Sequence, residues 1–350
     1  MNLNAKITQV YVTKIIPITV SLTIITDALK KSASAAYLPL ILNQILDVMD
    51  RIVKLESVTQ FNTERGQETL HPMISVLDQS KSKPVPAQRY ISELYLIFLK
   101  DLKCEDFKYG RNHYDYQDET LLFIAPGQVF GLSAPEEKMI QPTGWALAFH
   151  PDFIRGSSLG KHILNYNFFS YEAHEALHVS PREKQIVLEC FQKIREELER
   201  SIDKHSKMLI ISNIELFLNY CIRFYERQFI TRDNLNKDVL AGFETLLQTY
   251  FQSDKAQELG LPSVAYCAQV LNLSANYFGD LVKKETGRSA QEYIQGKVIE
   301  AAKERIFDTS KSISEVAYEL GFKYPQHFTR LFKQLVGVSP NGYRMGEWGK

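Results

Sequence analysis

Hydrophobic positions change their period along the chain. From about Leu70 to Pro151 they fall in short runs rich in β-branched and aromatic residues, separated by turn residues. Glu93–Leu99 is one such run. Thr120–Ile124 is a second and stops at Ala125-Pro126-Gly127; Gly144–Phe149 is a third and stops at His150-Pro151. Runs of this length with regular turn punctuation predict short strands forming a small β-barrel or sandwich. Lys81–Pro86, polar and carrying two prolines, predicts a loop.

After Pro151 the period becomes helical. Ser180-Pro181-Arg182-Glu183 combines a capping box with proline at the first helical position. Val187, Cys190, Ile194, Leu198 and Ile202 follow at three- and four-residue steps, one apolar stripe on a helix. A second helix is predicted from about Lys204 to Gln228, with Leu209, Ile210, Ile214, Phe217, Leu218 and Cys221 facing inward. Such a stripe is ordinarily core, and part of it could equally serve as a dimer surface. Thr231-Arg232-Asp233-Asn234 is short, polar and without apolar period, which predicts a hinge; the chain after Leu235 reads helical.

The C-terminal third contains an internal repeat. Ser263, Val264, Ala268, Leu271 and Leu273 match Ser312, Ile313, Ala317, Leu320 and Phe322 at an offset of 49. Phe278, Leu281, Lys283, Gly287, Ser289 and Tyr293 match Phe328, Leu331, Lys333, Gly337, Ser339 and Tyr343 at an offset of 50. The slip of one residue falls in a turn, where insertion is best tolerated. Each copy reads helix, tight turn, helix. In the first copy Val264, Ala268 and Leu271 line one face, Asn272-Leu273-Ser274 turns the chain, Ser274 caps the next helix, and Phe278, Leu281 and Val282 face back. In the second copy Ser312 and Glu315 form a capping box, Val316, Ala317 and Leu320 face inward, Gly321-Phe322 makes the turn, and Phe328, Leu331, Phe332 and Leu335 close the core. The second helix of each pair then stands proud enough to enter a B-DNA major groove about 12 Å wide. Between the copies a helix capped by Ser289 and Glu292 runs from about Ala290 to Phe307, with Ile294, Val298, Ala302 and Ile306 on one face. At about 1.5 Å per residue it is a spacer of roughly 25 Å. Such a spacer suits two recognition helices set about one DNA turn apart, near 34 Å.

At these residues the chain resembles the DNA-binding domain of the AraC/XylS family of bacterial transcriptional regulators. The likeness runs from about Asn236 to Arg344, about a third of the chain. It rests on Ile313-Ser314-Glu315-Val316-Ala317-Tyr318-Glu319-Leu320-Gly321-Phe322, Phe328-Thr329-Arg330-Leu331-Phe332-Lys333 and Gly337-Val338-Ser339-Pro340-Asn341-Gly342-Tyr343-Arg344. The first copy adds Leu273–Phe278 and Lys283–Gly287. The resemblance implies an α+β chain: an N-terminal cupin-like β-barrel with helices over residues 49–230, a linker at 231–235, and an all-α domain of two helix-turn-helix units joined by a linker helix over 236–345. It implies a cytoplasmic, sequence-specific DNA-binding regulator that is homodimeric and effector-responsive, with double-stranded DNA and RNA polymerase as partners and with no cofactor, metal or membrane.

The exposed face of the first recognition helix carries Asn276, Gly279, Asp280, Lys283 and Lys284; that of the second carries Tyr324, Pro325, Gln326, His327, Thr329, Arg330, Lys333 and Gln334. Gln326 and Arg330, one helical turn apart, suit bidentate readout of adenine and guanine edges, and Asn276 and Thr329 complete the base-reading set. Ser274, Lys283, Lys284 and Lys333 are assigned to phosphates, which fix register without reading sequence. Asp280 departs from the family pattern, in which a basic or amide residue often stands. An acid near phosphate is repelled, although aimed at a cytosine amine it could specify.

Composition adds limits. A chain of 350 residues, 45% hydrophobic and 23% charged, has room and apolar material for two domains. A formal net charge of zero excludes a protein basic throughout, but nucleic acid needs only one local basic face. Cys104, Cys190, Cys221 and Cys267 stand far apart, without zinc spacing or the number for a disulfide framework, and read as reduced apolar residues. Residues 1–48 conflict with a DNA-bound regulator. Ile15–Thr26 is a short apolar run flanked by Lys14 and by Lys30-Lys31, and Ser32-Ala33-Ser34-Ala35 resembles a signal-peptidase site. The run is shorter than the roughly 20 residues of a membrane span. Met49 precedes ordinary polar sequence from Asp50 to Leu55, so residues 1–48 read first as a non-native upstream stretch with Met49 as the start. An extra helix, or an export or membrane segment, is the alternative.

In the N-terminal half only His113 lies in the polar-aromatic stretch Arg111–Tyr116, too few histidines for a cupin metal site. Trp145 reads as core. An effector would enter the barrel interior, where Tyr95, Tyr114 and Tyr116 are candidates, and no contact residue is assigned. The chain holds no GxSxG, phosphate-binding glycine loop or HExxH, so no enzyme is expected. The rival readings are a cupin-type enzyme fused to a DNA module, and a ligand-independent regulator whose N-terminal half only dimerises.

Overall fold

The computed structural model describes residues 52–86, 88–100, 119–131, 139–172, 175–200, 203–231 and 233–346. Residues 1–48, Met49, Cys104, Arg111–Tyr116 with His113, and Ile202 lie outside the described residues. In chain order the elements begin with β1 (Ile52–Leu55), α1 (Val58–Glu64), β2 (Ile74–Asp78), β3 (Val85–Pro86), β4 (Arg89–Ser92), β5 (Tyr95–Lys100) and β6 (Glu119–Ile124). There follow β7 (Val129–Gly131), β8 (Met139–Ile140), β9 (Trp145–Phe149), α2 (Pro151–Ile154), α3 (Ser158–His162), β10 (Leu177–Val179), α4 (Pro181–Glu199) and α5 (Ser206–Thr231). The last elements are α6 (Asp233–Gln252), α7 (Lys255–Leu259), α8 (Val264–Val270), α9 (Ala275–Thr286), α10 (Ala290–Arg305), α11 (Ile313–Glu319), α12 (Pro325–Val336) and α13 (Pro340–Arg344). The architecture is therefore mixed, with sheets N-terminal and helices C-terminal.

The chain divides into two compact units. The first comprises the described parts of Met1–Phe98, Ile124–Arg155 and Leu198–Ile202. Its longest pairing is antiparallel, β2 against β9, from Ile74 opposite Phe149 to Asp78 opposite Trp145. β5 borders β9 on the other side, and Tyr95 stacks on Phe149 with ring centroids 5.1 Å apart. A second sheet runs β1-β4-β7, parallel between β1 and β4 and antiparallel between β4 and β7. Ile74, Leu94, Leu96, Ile97, Leu147 and Phe149 are fully buried, as expected of strands whose apolar runs are nearly continuous. Tyr95, expected as a possible effector contact, is part of this core, and its buried phenol is harder to ionise than a free one. Trp145, expected as core, is only half-buried.

Two stretches differ from expectation. Lys81–Pro86, read as a loop, contributes β3, which pairs with β8 through Val85 opposite Ile140. Asp50–Leu55, read as ordinary polar sequence, contributes β1, whose Leu55 is buried. A two-residue strand and a four-residue strand are too short for a period-2 signal to emerge.

The second unit comprises the described parts of Leu99–Phe123, Gly156–Glu197 and Asp203–Lys350. Here β6 pairs with β10, Leu121 opposite Leu177, and Phe123 packs among Phe168, Phe169, Phe217 and Tyr225. The expected capping box starts α4: Ser180 N–H donates to Glu183 Oε2 at 2.8 Å and Glu183 N–H to Ser180 Oγ at 3.4 Å. Arg227 from α5 then pairs with Glu183 at 2.7 Å. Val187, Cys190, Ile194 and Leu198 are buried as expected. On α5, Ile210, Ile214, Phe217, Leu218 and Cys221 are buried, but Leu209 is 42% exposed. It lies about 100° around the helix from Ile210 and so falls off the buried stripe.

At the expected hinge α5 runs to Thr231 and α6 begins at Asp233, with Arg232 between them outside the described residues. Cys190, Cys221 and Cys267 are free and buried, and burial raises the Cys190 and Cys221 thiols above the usual range. No helix among the described residues is long and apolar enough to cross a membrane.

Candidate nucleic-acid interface

Local hydrogen bonding builds the two helix pairs in the same way. In the first, Ser263 caps α8 by accepting Tyr266 N–H at 3.1 Å, and Leu273 N–H closes the following turn onto Ala268 O at 2.9 Å. In the second, Ser312 and Glu315 cap α11 reciprocally, and Phe322 N–H closes onto Ala317 O at 3.0 Å. The left-handed residue of the turn is Asn272 (φ 56°) in the first copy and Gly321 (φ 90°) in the second. Asparagine tolerates that region among non-glycine residues. At Gly321 no side chain fits, because a Cβ would lie 2.7 Å from Ala256 O.

The one-residue slip is visible. Leu273 is followed at once by Ser274, the N-cap of α9, whereas Lys323 intervenes between Phe322 and Tyr324, the N-cap of α12. Ser274 Oγ accepts Tyr277 N–H at 3.2 Å. Tyr324 makes no such bond, and Pro325 at the first helical position has no N–H to satisfy. Both helices end on a left-handed glycine, Gly287 and Gly337, whose N–H reaches Lys283 O and Lys333 O at 2.9 Å. Because the slip precedes the caps, α9 and α12 are in phase: Asn276 corresponds to Gln326, Asp280 to Arg330 and Lys283 to Lys333.

Packing sets which face each helix presents. On α12 Phe328 and Phe332 are fully buried, while Gln326, His327, Arg330, Lys333 and Gln334 are exposed and Thr329 is half-buried. Leu335, expected to close this core, is 49% exposed. It lies one turn past Phe332 and two residues before the Gly337 cap, at the end of the helix. On α9 Phe278, Leu281 and Val282 are buried, with Phe278 edge-on to Phe243 of α6 at 4.8 Å. Val264, Leu271 and Leu331, expected inward, are half-buried. Between the pairs, α10 carries the expected Ser289–Glu292 capping box and buries Ile294, Val298 and Ala302, with Ile306 buried just past its end. The Ser289 hydrogen bonds lower the Glu292 carboxyl below the usual range. Arg344 of α13 donates to Ile306 O at 2.6 Å and Lys311 O at 2.9 Å, holding the entry to α11.

Of the expected base readers, Asn276, Gln326 and Arg330 are exposed and Thr329 is half-buried. Of the expected phosphate contacts, Lys283, Lys284 and Lys333 are exposed. Among the described residues no ion pair engages Arg330, Lys283, Lys284 or Lys333, so their charge is available. Ser274 differs: its N–H already donates to Glu175 at 2.6 Å. Asp280 also differs from the expected free face, since it accepts from Tyr171 and Asn167. No sequence motif singles out Glu175, Tyr171 or Asn167. The aromatic density of Tyr166–Tyr171 is the one local signal that marks them.

Residues 267–346 match the family described as "Helix-turn-helix domain". The Transposon Tn10 TetD protein of Escherichia coli is 31% identical over 144 residues, a match covering 41% of this chain and 91% of TetD. The chain belongs to the AraC/XylS family of transcriptional regulators. A second relative, the "Uncharacterized HTH-type transcriptional regulator YfiF" of Bacillus subtilis, is 29% identical over 161 residues; the match covers 46% of this chain and 48% of YfiF, so the chain spans about half the length of that protein. Among solved structures, the C-terminal domain of AraT, a response regulator from Geobacillus stearothermophilus, is 27% identical, with 31% of this chain and 84% of that chain covered at a TM-score of 0.28.

Proposed function

We propose that this AraC/XylS-family chain is a sequence-specific DNA-binding transcriptional regulator that reads two successive major-groove segments with α9 and α12. The observation that carries the reading is α12, which buries Phe328 and Phe332 completely while presenting Gln326, Arg330 and Lys333 to solvent with no ion pair among the described residues. Gln326 and Arg330 are the base readers, with Thr329 beside them; Lys333, and Lys283 and Lys284 on α9, hold phosphates. Asn276 is the reader of the first unit. Residues 236–345 form the DNA-binding module, and residues 49–230 form a cupin-like domain that binds a small effector and carries the homodimer contact. Exposed Met208, Leu209 and Leu216 on one side of α5 favour that contact. RNA polymerase is the further partner, and the cytoplasm is the compartment.

Mapping the DNA bound by the full chain across its genome tests the reading. A single recurring motif, lost when Arg330 and Gln326 are both replaced by alanine, is the expected result. Occupancy without any motif, or an unaltered motif in that variant, overturns it.

A further inference from the structure

Three contacts spaced three residues apart tie α9 to the segment that precedes β10, all within the second unit. Glu175, 0% exposed, accepts the Ser274 N–H at 2.6 Å through Oε1, and its Oε2 accepts the Glu172 N–H at 2.7 Å. Tyr277, 5% exposed, lies edge-on to Tyr171 with ring centroids 5.2 Å apart and packs on Phe229 at 5.1 Å. Asp280 accepts the Tyr171 hydroxyl at 2.6 Å and the Asn167 Nδ2 amide at 3.0 and 3.2 Å.

Ser274, Tyr277 and Asp280 form one stripe along α9, flanking the face that carries Asn276 and Lys283. The N–H groups at a helix start are unsatisfied within the helix and are where phosphate oxygens bind. A carboxylate on the Ser274 N–H supplies the same charge and the same acceptor. Asp280 would be repelled by phosphate, yet in this arrangement it has two donors. The acid that is out of place against DNA is in place against Tyr171 and Asn167.

We infer that Asn167, Tyr171 and Glu175 form an intramolecular latch on the first recognition helix, with the Glu175 carboxylate standing where a DNA phosphate would bind and Asp280 as the anchor. The inference rests on the DNA-binding reading above. The latch touches only the first helix-turn-helix copy, and the outer face of α12 stays exposed. The latched chain therefore offers one reading helix, and full engagement requires that Glu175 and Tyr171 let go. The apparent affinity for DNA is lowered by the fraction of chain that is open. Glu175 lies two residues before β10, so a shift of that strand against β6 would carry the carboxylate with it.

The test compares the full-length chain with Tyr171→Phe, Asn167→Ala and Glu175→Ala variants, using a random-sequence 40-base-pair duplex as the probe at one fixed low salt concentration. All three positions lie outside the recognition helices, so a gain in affinity is not a new base contact. Each variant removes hydrogen bonding to a charged group or the charged group itself, and an increase of roughly tenfold is expected for Tyr171→Phe and Glu175→Ala. In the wild type, saturating duplex should speed amide hydrogen exchange over residues 166–172. Wild-type binding with no tightening in Tyr171→Phe, and no change in exchange, overturns the latch and leaves the DNA reading standing. Failure of every form to bind the duplex overturns both. If Glu175→Ala does not fold, Tyr171→Phe decides, because it removes one oxygen and keeps the packed ring.

Discussion

The side-chain amide of Asn236 reaches the Glu285 carboxylate at 3.1 Å from a position only 2% exposed. The same Nδ2 donates to Phe229 O at 2.7 Å. One side chain just after the break between α5 and α6 thus binds the end of α5 and the last turn of α9. Asn236→Ala leaves a buried carbonyl without this donor, and a loss of about 1–3 kcal/mol is expected. The urea-unfolding midpoint checks it, and an unchanged midpoint would show that these bonds add nothing to stability.

Two glycines with nearly equal φ should respond differently to alanine. A Cβ added at Gly337 (φ 93°) would meet nothing within 4 Å, so Gly337→Ala costs only the left-handed strain, about 1–2 kcal/mol. Gly321 (φ 90°) adds collisions at 2.7 Å with Ala256 O and the Gly260 carbonyl carbon. Because both neighbours are backbone, Gly321→Ala should cost about twice as much or more. Equal thermal stabilities of the two variants would contradict the tight approach of α7 to the α11–α12 turn.

Arg330→Ala should weaken binding to the cognate site by about 1–3 kcal/mol and relax base preference at one position. Lys333→Ala should weaken all duplexes similarly and shallow the dependence of log affinity on log salt by about one unit. Binding isotherms on cognate and scrambled duplexes at several salt concentrations separate the two effects. An Arg330 variant that keeps full selectivity refutes base readout.

Cys267 is fully buried on α8, and burial pushes its thiol up to about 11 from the ordinary value of 9.0. With the folded value raised, the stabilisation is fully present below pH 9 and is lost as pH rises through about 11. The unfolded chain gains a thiolate in that window and the folded chain does not. Two pH units correspond to about 2–3 kcal/mol. Denaturant titrations of wild type and Cys267→Ala between pH 8 and 11 should diverge in slope with pH, and parallel curves would count against it.

What the sequence made legible is what is encoded locally. The capping boxes at Ser180, Ser289 and Ser312, and the slip between Phe322 and Tyr324, involve partners three to five residues apart, so they show in a linear text. The strand runs around Leu96 and Leu147 were legible because continuous apolar stretches mean burial on both faces. Short pairings such as β3 with β8 were not, because two residues carry no period. The contact of Glu175 with Ser274 spans 99 residues and joins two polar groups that neither period nor motif connects. Leu209 and Leu335 failed for a related reason: hydrophobicity signals a wish to be buried, and only tertiary packing decides which of several neighbouring apolar residues is.

The in-phase alignment of the two reading helices has a last consequence. Where α12 leaves Arg330 exposed, α9 carries Asp280, already bound to Tyr171 and Asn167, so the duplicated units differ in charge at the same place. A tandem reader with unlike ends has no two-fold symmetry of its own. On the proposed reading, the stretch of duplex it favours would therefore have a head and a tail, and one protomer laid on it would point in a single direction along the chromosome.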